Sequence, residues 1–481
     1  MNRFSISLAL ATVVCGAVLN ACGDERPQPA TGGAGGTGGA TSSTTSSTTS
    51  TTSSTTATGT GGGPVDPDPV LPACTKTADL PQAITTSTAL SQDTCYNLKG
   101  VVYVKSGATL TIPKGTVIKG DKATLGTLVI QPGAKIDAVG TANNPIVFTS
   151  ALPKGSRAAG DWGGVILLGK APINVPGGTA NVEGIDISAD TAYGGTNADD
   201  SSGRMKYVRI EFSGILLSPN NEINGLTMAG VGAKTEIDYV MVHETLDDCF
   251  EFFGGTVNAK HLVCVNNQDD GFDWDLGYRG KLQFLALLQD PEIADDTNGF
   301  EGDNDAQGSA NAPISEPTIY NATLCGHNKD VAKQQFGMLL RRSTKAHIFN
   351  TVVTGFEAGV DVRDPLTGAG VEVKSSIFYG QVVGGANYAY AETIAGTGVT
   401  ADDDSGFDEV AWLEGAGNQS IDPKIHCFDA GGPDFTPEAT LTSNAATPPG
   451  DGFFDNTAAY IGAFKSDDTW ATGNWIDFSR N

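Results

Sequence analysis

Short apolar runs recur at regular intervals between residues 101 and 150, and Gly, Pro or Asn separates each run from the next. The first and fourth runs start 26 residues apart, the second and fifth 25, and the third and sixth 29. Three short strands therefore recur with a common period, which predicts a coil with three strands per turn and not a sandwich of hairpins. The runs span residues 101–104, 109–112, 116–118, 127–130, 134–136 and 145–148.

The pattern continues toward the C-terminus. Intervals of 22 to 27 residues between strand starts leave room for one coil, and longer ones predict loop insertions such as residues 291–317. We predict an all-β chain in which residues 74–481 form a single right-handed parallel β-helix, with coils about 4.8 Å apart. Residues 74–98 are expected to cap the first coil. The further strands are predicted to start near Tyr207, Tyr239, His261, Gln283, Tyr320 and His347. The last coil is expected to be capped by Trp412, Trp470, Trp475 and Phe478.

The composition agrees with many short strands and turns. The 481 residues include 62 Gly, and 39% are hydrophobic, which is typical of a turn-rich β protein rather than a helical bundle. The formal net charge of −26 repels nucleic acid, so no nucleic-acid partner is expected. Such a surface can attract divalent cations, although solubility alone also explains it.

The N-terminus has the features of an export signal. Arg3 is the only charge before Asp24, and residues 6–19 are mostly apolar but too few for a good membrane span. The following Leu19-Asn20-Ala21-Cys22 resembles the lipobox of bacterial lipoproteins, which implies a signal peptide over residues 1–21 and a lipid on Cys22. Ordinary secretion and an uncleaved anchor are the alternatives.

A low-complexity segment follows Cys22. Residues 31–63 are almost wholly Gly, Ala, Ser and Thr, and residues 64–72 carry alternating prolines. Without large apolar side chains, such a segment cannot offset the entropy of ordering, so residues 22–73 are predicted to be a disordered tether. The expected location is the bacterial cell envelope, with the outer membrane or cell surface as the site of the lipid anchor.

Six cysteines remain once Cys15 leaves with the signal peptide and Cys22 carries lipid. An even number in an exported protein predicts disulfide bonds. We favour the local pair Cys74–Cys95. Because spacing alone does not fix connectivity, the other pairs stay open, with Cys249–Cys264 and Cys325–Cys427 as candidates.

Several segments of the chain resemble a family of bacterial surface and secreted β-helix proteins. The resemblance implies the β-helix fold over roughly residues 100–465, but it implies no activity, because none is assigned to that family. The segments that carry it are Gly107-Ala108-Thr109-Leu110-Thr111-Ile112, Gly133-Ala134-Lys135-Ile136, Asn144-Pro145-Ile146-Val147-Phe148-Thr149-Ser150, Asp161-Trp162-Gly163-Gly164, Asn221-Glu222-Ile223-Asn224-Gly225-Leu226, Asn298-Gly299-Phe300-Glu301 and Tyr460-Ile461-Gly462-Ala463-Phe464.

An acidic pattern repeats once per coil. Asp247-Asp248-Cys249-Phe250-Glu251 is followed 22 residues later by Asp269-Asp270-Gly271-Phe272-Asp273, and then by Asn298-Gly299-Phe300-Glu301. In register, the three Phe side chains would stack inside the coil. Glu251, Asp273 and Glu301 would then share one outer face, and Asp248 and Asp270 would form a second column with Asn298.

Three explanations of the acids stay open. Carboxylates one coil apart repel each other, and hard oxygen ligands suit Ca²⁺, so the first is a Ca²⁺ site. Its ligands would be Asp248, Glu251, Asp270, Asp273 and Glu301. The second is catalysis on a polysaccharide. The third is a solvent-facing acidic surface that keeps the sheet soluble.

The catalytic explanation has partial support from two resemblances. Asp247-Asp248-Cys249-Phe250 resembles the paired-Asp segment of polygalacturonase-type hydrolases, but the Asn-x-Asp, Gly-His-Gly and Arg-x-Lys motifs of that family do not appear in place. Pectate-lyase-type β-helices combine Ca²⁺ with an Arg base, a role open to Arg341; the alternative is that Arg341, Arg342 and Arg363 pair with the acids. His243 and His261 are expected to be packed strand residues. The catalytic candidates are Asp247, Asp248, Asp270, Asp273 and Arg341.

Trp274 lies inside the acidic pattern and is a candidate for stacking on sugar rings. The sequence thus favours a membrane-tethered surface lipoprotein that presents a rigid acidic β-helix face. It would bind Ca²⁺ and serve as a structural module or as an adhesive module for polysaccharide or surface matrix. The alternative is a polysaccharide lyase or glycoside hydrolase that uses the acids.

Overall fold

A computed structural model describes residues 74–218, 221–290, 292, 296–329, 335–363, 370–382, 407–429 and 433–480. The predicted signal peptide, the predicted lipidation site Cys22 and the predicted tether lie outside these residues. Within the part of the chain that the structure describes, no helix has the length and apolarity needed to span a membrane.

The described chain is almost entirely β-structure. The helices are a short 3-10 helix at Lys122–Thr124 and α1 at Glu409–Gly415. The strands are β1 (Lys76–Asp79), β2 (Ala83–Ile84), β3 (Thr88–Ala89), β4 (Thr94–Leu98), β5 (Val101–Val104), β6 (Thr109–Pro113), β7 (Val117–Gly120), β8 (Thr127–Ile130), β9 (Lys135–Val139), β10 (Ile146–Ser150), β11 (Val165–Leu168), β12 (Ala180–Asn181), β13 (Ala192–Tyr193), β14 (Gly203–Glu211), β15 (Ile215–Ser218), β16 (Asn221–Ile223), β17 (Leu226–Ala229), β18 (Glu236–His243), β19 (Phe250–Phe253), β20 (Asn258–Val265), β21 (Phe272–Asp275), β22 (Lys281–Leu288), β23 (Phe300–Gly302), β24 (Thr318–Cys325), β25 (Phe336–Leu340), β26 (His347–Thr354), β27 (Ala358–Val362), β28 (Glu372–Lys374) and β29 (Ile377–Phe378).

Two long parallel sheets contain nearly all of these strands. The first sheet has 15 strands. Its main row has the order β1-β4-β7-β10-β14-β18-β20-β22-β24-β26-β28, and β3, β6, β9 and β29 pair alongside this row. The second sheet has ten strands, in the order β2-β5-β8-β11-β17-β19-β21-β23-β25-β27. Each strand pairs with its equivalents in the coils before and after it. This confirms the predicted parallel β-helix.

The three strands per coil are separate at first and merge later. β9 and β10 are distinct strands, and β14 pairs with both of them, through residues 203–206 and 208–210. The residue between the two halves, Tyr207, has a left-handed backbone with φ of 51°. It therefore turns a corner between two faces of the coil. Equivalent left-handed corners occur at Tyr239, His261, Phe284, Asn321 and Asn350.

The corner column explains an error in the predicted strand starts. Tyr207, Tyr239 and His261 were expected to begin strands, whereas the strands begin three or four residues earlier and bend at these positions. The corner side chains stack outside the coil, with ring centroids 4.4 Å apart for Tyr207 and Tyr239 and 4.1 Å apart for Tyr239 and His261.

The interior is a continuous apolar column. Phe250, Phe272 and Phe300 are in register on β19, β21 and β23 and are fully buried. Their ring centroids are 5.3 Å apart for Phe250 and Phe272 and 5.7 Å apart for Phe272 and Phe300. The predicted Phe ladder is therefore confirmed.

The two ends differ from the expected caps. At the N-terminal end, β1 pairs in parallel with β4, β2 with β5 and β3 with β6, so β1 to β3 form a coil of their own and β4 already belongs to the next one. At the C-terminal end, Trp412 on α1 packs against the end of the core, as predicted. The prediction is wrong for Trp470, Trp475 and Phe478, which pack on the outer face of the first sheet with Met241 and Val263. Residues 433–480 run back along that face because it exposes an apolar column that needs covering.

All three disulfide bonds form as the sequence suggested: Cys74–Cys95, Cys249–Cys264 and Cys325–Cys427. The first two close short local loops. The third joins β24 to the segment that follows α1, and so fixes the C-terminal region to the first sheet.

Candidate metal centre

The acidic residues form two columns on neighbouring coils of the second sheet. Glu251, Asp273 and Glu301 occupy equivalent positions on β19, β21 and β23. Side chains alternate between the two faces of a strand. Because Phe250, Phe272 and Phe300 point inward, the adjacent acids point outward, as the sequence predicted.

The second column lies in the turn before each strand and has a structural role. The backbone N–H of Asp270 donates to Oδ1 of Asp248 at 2.8 Å. The N–H of Asn298 donates to Oδ1 of Asp270 in the same way. Phe336 in turn donates to Oδ1 of Asn298 at 3.2 Å. Asp or Asn is therefore required here because the side chain joins each turn to the next coil.

The acids are buried, although they lie on the outer face. Asp248, Glu251, Asp270, Asp273 and Glu301 are each 6% exposed or less. This excludes the solvent-facing acidic surface as their explanation. The segment that covers them lies outside the predicted loop insertion at residues 291–317, so that predicted insertion does not account for it.

That segment spans residues 169–202 between β11 and β14, and we call it the inserted segment. It crosses several coils in succession. Ala171 donates its N–H to the carbonyl of Gly230 at 2.8 Å, and Asn174 donates its N–H to that of Leu276 at 2.9 Å. Its apolar side chains, including Val182 and Tyr193, cluster with outward residues of the second sheet such as Phe253.

Burial of several carboxylates together raises their pKa values. The pKa of Asp248 and that of Asp270 lie well above the ordinary value, first through burial and then through repulsion by neighbouring carboxylates. The same two causes, in the same order, raise the pKa values of Glu251 and Asp273. An isolated buried carboxylate is costly, so such groups need a proton or a cation.

Among the residues that the structure describes, the cations paired with the acidic columns lie at one end. Arg341 is 2% exposed and forms ion pairs with Glu301 and with Asp303, the latter at 3.1 Å. Arg342 also pairs with Asp303, at 2.9 Å. Among the described residues, none of the acids at positions 248, 251, 270 and 273 is paired with a Lys or Arg. The alternative that the arginines pair with the acids is confirmed for Arg341 and Arg342, whereas Arg363 pairs with Asp361 on β27.

Asp273 is the centre of the arrangement. Carboxylate oxygens of Asp248, Glu251 and Asp273 all lie within 4.8 Å of one another, and so do those of Asp270, Asp273 and Glu301. Asp273 is common to both groups, is 4% exposed, and its Oδ1 atom has no hydrogen-bond partner. The two groups together contain all five residues that the sequence proposed as metal ligands. A third group, of Asp247, Asp248 and Asp269, lies beside them.

The donor set fits Ca²⁺. Ca²⁺ takes about six to eight oxygen ligands, which carboxylates supply in one- or two-oxygen modes. The buried, unpartnered Oδ1 of Asp273 is the atom that such an ion would satisfy.

The expectation that Trp274 stacks on sugar rings is wrong. Strand alternation places Asp273 and Asp275 outside and Trp274 inside, where it is fully buried and donates its Nε1–H to Thr344 Oγ1 at 3.0 Å. The next coil has Gly302 at this level. A Cβ there would lie 2.2 Å from the Trp274 ring, so only glycine leaves room for the indole.

The two histidines considered in the sequence lie on the first sheet, away from the acids. His243 on β18 is fully buried, and burial lowers its pKa to about 4, so it is neutral at neutral pH. His261 stands in the corner column, stacked between Tyr239 and Phe284. Both are packed residues, as expected.

The family follows from a comparison along the chain. A family model described as a pectate-lyase-like beta-helix domain matches residues 82–420. The chain belongs to this family. The pectate-lyase-like domain includes both acidic columns, Arg341 and the inserted segment, and ends before residues 433–480. No curated protein and no solved structure matches the chain. Membership confirms the β-helix resemblance and brings no assigned activity.

Proposed function

We propose that the chain is a membrane-tethered surface lipoprotein whose pectate-lyase-like β-helix binds Ca²⁺ between its acidic columns. In this proposal it acts as a structural or glycan-binding module and not as an enzyme. The observation that carries the proposal is the buried Asp273, which is shared by two carboxylate groups and has an oxygen without a hydrogen-bond partner.

The energy of the acids supports a bound cation. The carboxylate oxygens of each group lie within 4.8 Å of one another. Two ionised carboxylates at that upper limit repel each other by roughly 3.5 kcal/mol at an effective dielectric constant of about 20. Arg341 offsets this repulsion through its ion pairs with Glu301 and Asp303, and its charge also acts on Asp273. A divalent ion would offset it for Asp248, Glu251 and Asp273 as well. Its binding would then stabilise the folded state by mass action.

The surroundings of the acids support a structural ion rather than a catalytic one. Arg341, the candidate base, is buried and held in two ion pairs. Trp274, the candidate for sugar stacking, points into the core. A polysaccharide lyase remains the second candidate, because the family match and the closeness of Arg341 to the acids favour it.

The proposed location follows from the N-terminus. A lipid on Cys22 and the tether of residues 22–73 would hold the β-helix near the membrane. A flexible chain of that length has a root-mean-square span of roughly 40 Å. The β-helix would therefore lie within reach of surface polysaccharide or matrix while staying anchored.

The test is a calorimetric and thermal titration of the mature protein with CaCl₂ after treatment with EDTA. We expect millimolar Ca²⁺ to bind and to raise the melting temperature. Asp270→Asn combined with Asp273→Asn should abolish both effects. A matched control with the same charge change is Asp429→Asn combined with Asp467→Asn, whose side chains are 67% and 76% exposed; it should respond like the parent.

Two outcomes would contradict the proposal. The first concerns the Ca²⁺ site. The site would be contradicted if millimolar Ca²⁺ did not change the melting temperature of the parent, or if the double variant bound the ion as the parent does. The other concerns the non-enzymatic role. Incubation with a panel of acidic and neutral polysaccharides, with Ca²⁺ and with EDTA, should release no new unsaturated or reducing chain ends. Release of such ends would favour the lyase or hydrolase.

A further inference from the structure

Glu183 of the inserted segment is held at the acidic columns by contacts on both sides of it. The preceding Val182 is buried in the apolar cluster on the second sheet. The following Gly184 has φ of 68° and donates its N–H to Asn221 Oδ1 at 2.8 Å. A Cβ on Gly184 would lie 2.3 Å from the carbonyl oxygen of Glu222, so the two chains touch at this point.

The hairpin under Gly184 leads directly to the acids. Asn221–Ile223 is β16, and Asn224 follows it. The side-chain amide of Asn224 donates to Oε2 of Glu251. Glu183 is therefore fixed next to the end of the acidic column that lies farthest from Arg341.

The carboxyl group of Glu183 is buried among other acids. Its Oε2 atom is buried and has no hydrogen-bond partner. It feels the negative charges of Glu222, Asp247 and Asp275, which belong to three different turns or strands. Of the charges around Glu251, that of Glu183 acts on it most strongly.

We propose that Glu183 is a further ligand of the cation, supplied by the inserted segment, and that cation binding fastens this segment onto the second sheet. This inference rests on the proposed Ca²⁺ site. Without a cation, the repulsion between Glu183 and Glu251 acts across the contact between segment and sheet. With one, the same two carboxylates attract a shared charge and close that contact.

Coupling of this kind runs in both directions. If the ion favours the closed segment, then a closed segment must favour the ion by the same free energy. The segment would then act as a cover that is fixed in Ca²⁺-rich surroundings outside the cell and loosened when Ca²⁺ is withdrawn.

The test combines Ca²⁺ affinity with hydrogen exchange of the inserted segment in the mature protein. We expect Ca²⁺ to slow amide exchange in residues 176–195 of the parent. Glu183→Gln, which keeps the shape and removes the charge, should remove this slowing. It should also weaken Ca²⁺ binding by at least about tenfold, which is the low end of the loss for groups that only support metal ligands. In EDTA its melting temperature should equal or exceed that of the parent, because a repulsion is gone.

The control is Glu236→Gln, an exposed acid at the start of β18, which should behave as the parent does. A second variant, Glu183→Asp, retains the charge but shortens the side chain, so it should bind Ca²⁺ more weakly than the parent. It serves as the test if Glu183→Gln does not fold. Parent-like affinity and parent-like slowing of exchange in Glu183→Gln, or in Glu183→Asp if only that variant folds, would overturn the inference and leave the Ca²⁺ site standing. A parent protein that does not bind Ca²⁺ would instead contradict both the proposed Ca²⁺ site and the role of Glu183.

Discussion

Phe272→Ala tests the coil register on which the acidic site depends. The ring is fully buried and contacts Phe250 on one side and Phe300 on the other, with centroids 5.3 Å and 5.7 Å away. Truncation to Ala removes both contacts and leaves a cavity between two coils. If the register were wrong by one residue, this position would point outward and its loss would cost little.

The expected size of the effect comes from two contributions. Replacing a buried Phe by Ala costs about 3–5 kcal/mol of unfolding free energy. Each aromatic pair adds about 0.5–1.5 kcal/mol beyond burial, and Phe272 takes part in two. We therefore expect a loss in the upper half of that range.

Urea denaturation of parent and variant, followed by circular dichroism, measures the loss. Phe428→Ala is the control, since Phe428 is 41% exposed, and should lose about 1 kcal/mol or less. An apolar cavity of this kind stays dry and binds small aromatic molecules, so benzene should restore part of the stability of Phe272→Ala. A loss no greater than that of the control, with no response to benzene, would refute the register.

Two further predictions concern pH and the anchor. The folded-state pKa values of Asp248 and Asp273 are raised, so in EDTA the folded protein holds protons that the unfolded chain has lost. The contribution of these groups to stability is fully present below their unfolded pKa of about 4 and is lost as pH rises through the folded value. Between about pH 7.5 and about pH 8.5, where a histidine with the unfolded pKa of about 6.5 is already mostly neutral, the melting temperature should fall. Glu244, whose pKa burial raises to about 7, adds to the early part of this fall. Ca²⁺ should remove most of the decrease, and a melting temperature that rises with pH in EDTA would contradict the shifts. Cys22→Ser should release the protein from membranes or leave an unprocessed precursor; an unchanged membrane fraction and mature mass would rule out lipidation.

The sequence was enough to predict the ladders. A spacing of 22 residues between Phe250 and Phe272 equals one coil, and alternation along a strand then fixes which side chains face inward. The same reasoning, carried one residue further, places Trp274 inside and Asp275 outside. Two flanking acids do not indicate that Trp274 is exposed, because neighbouring residues on a strand face the other way.

The burial of the acids could not be predicted from the ladders themselves. It depends on the inserted segment, which has no coil period and reaches the second sheet through Ile173, Val175 and Val182. Glu183 was missed for the same reason. Its position is set by a close approach at Gly184, which is distant in sequence from every acid in the ladders. The sequence feature that indicates the inserted segment is the interval between β11 and β14, which is longer than one coil.

The C-terminal segment, residues 433–480, changes how the coils can unfold. In a stack of coils where each touches only its neighbours, unfolding can begin at either end and spread one coil at a time. Here the side-chain amide of Asn350 on β26 donates to the carbonyl of Ala446. At the other end, the backbone N–H of Trp475 donates to the carbonyl of Ala142, which precedes β10. One stretch of chain thus brackets the coils from β10 to β26, so none of them can peel away until the bracket has detached. The bracketed part should melt as one cooperative block.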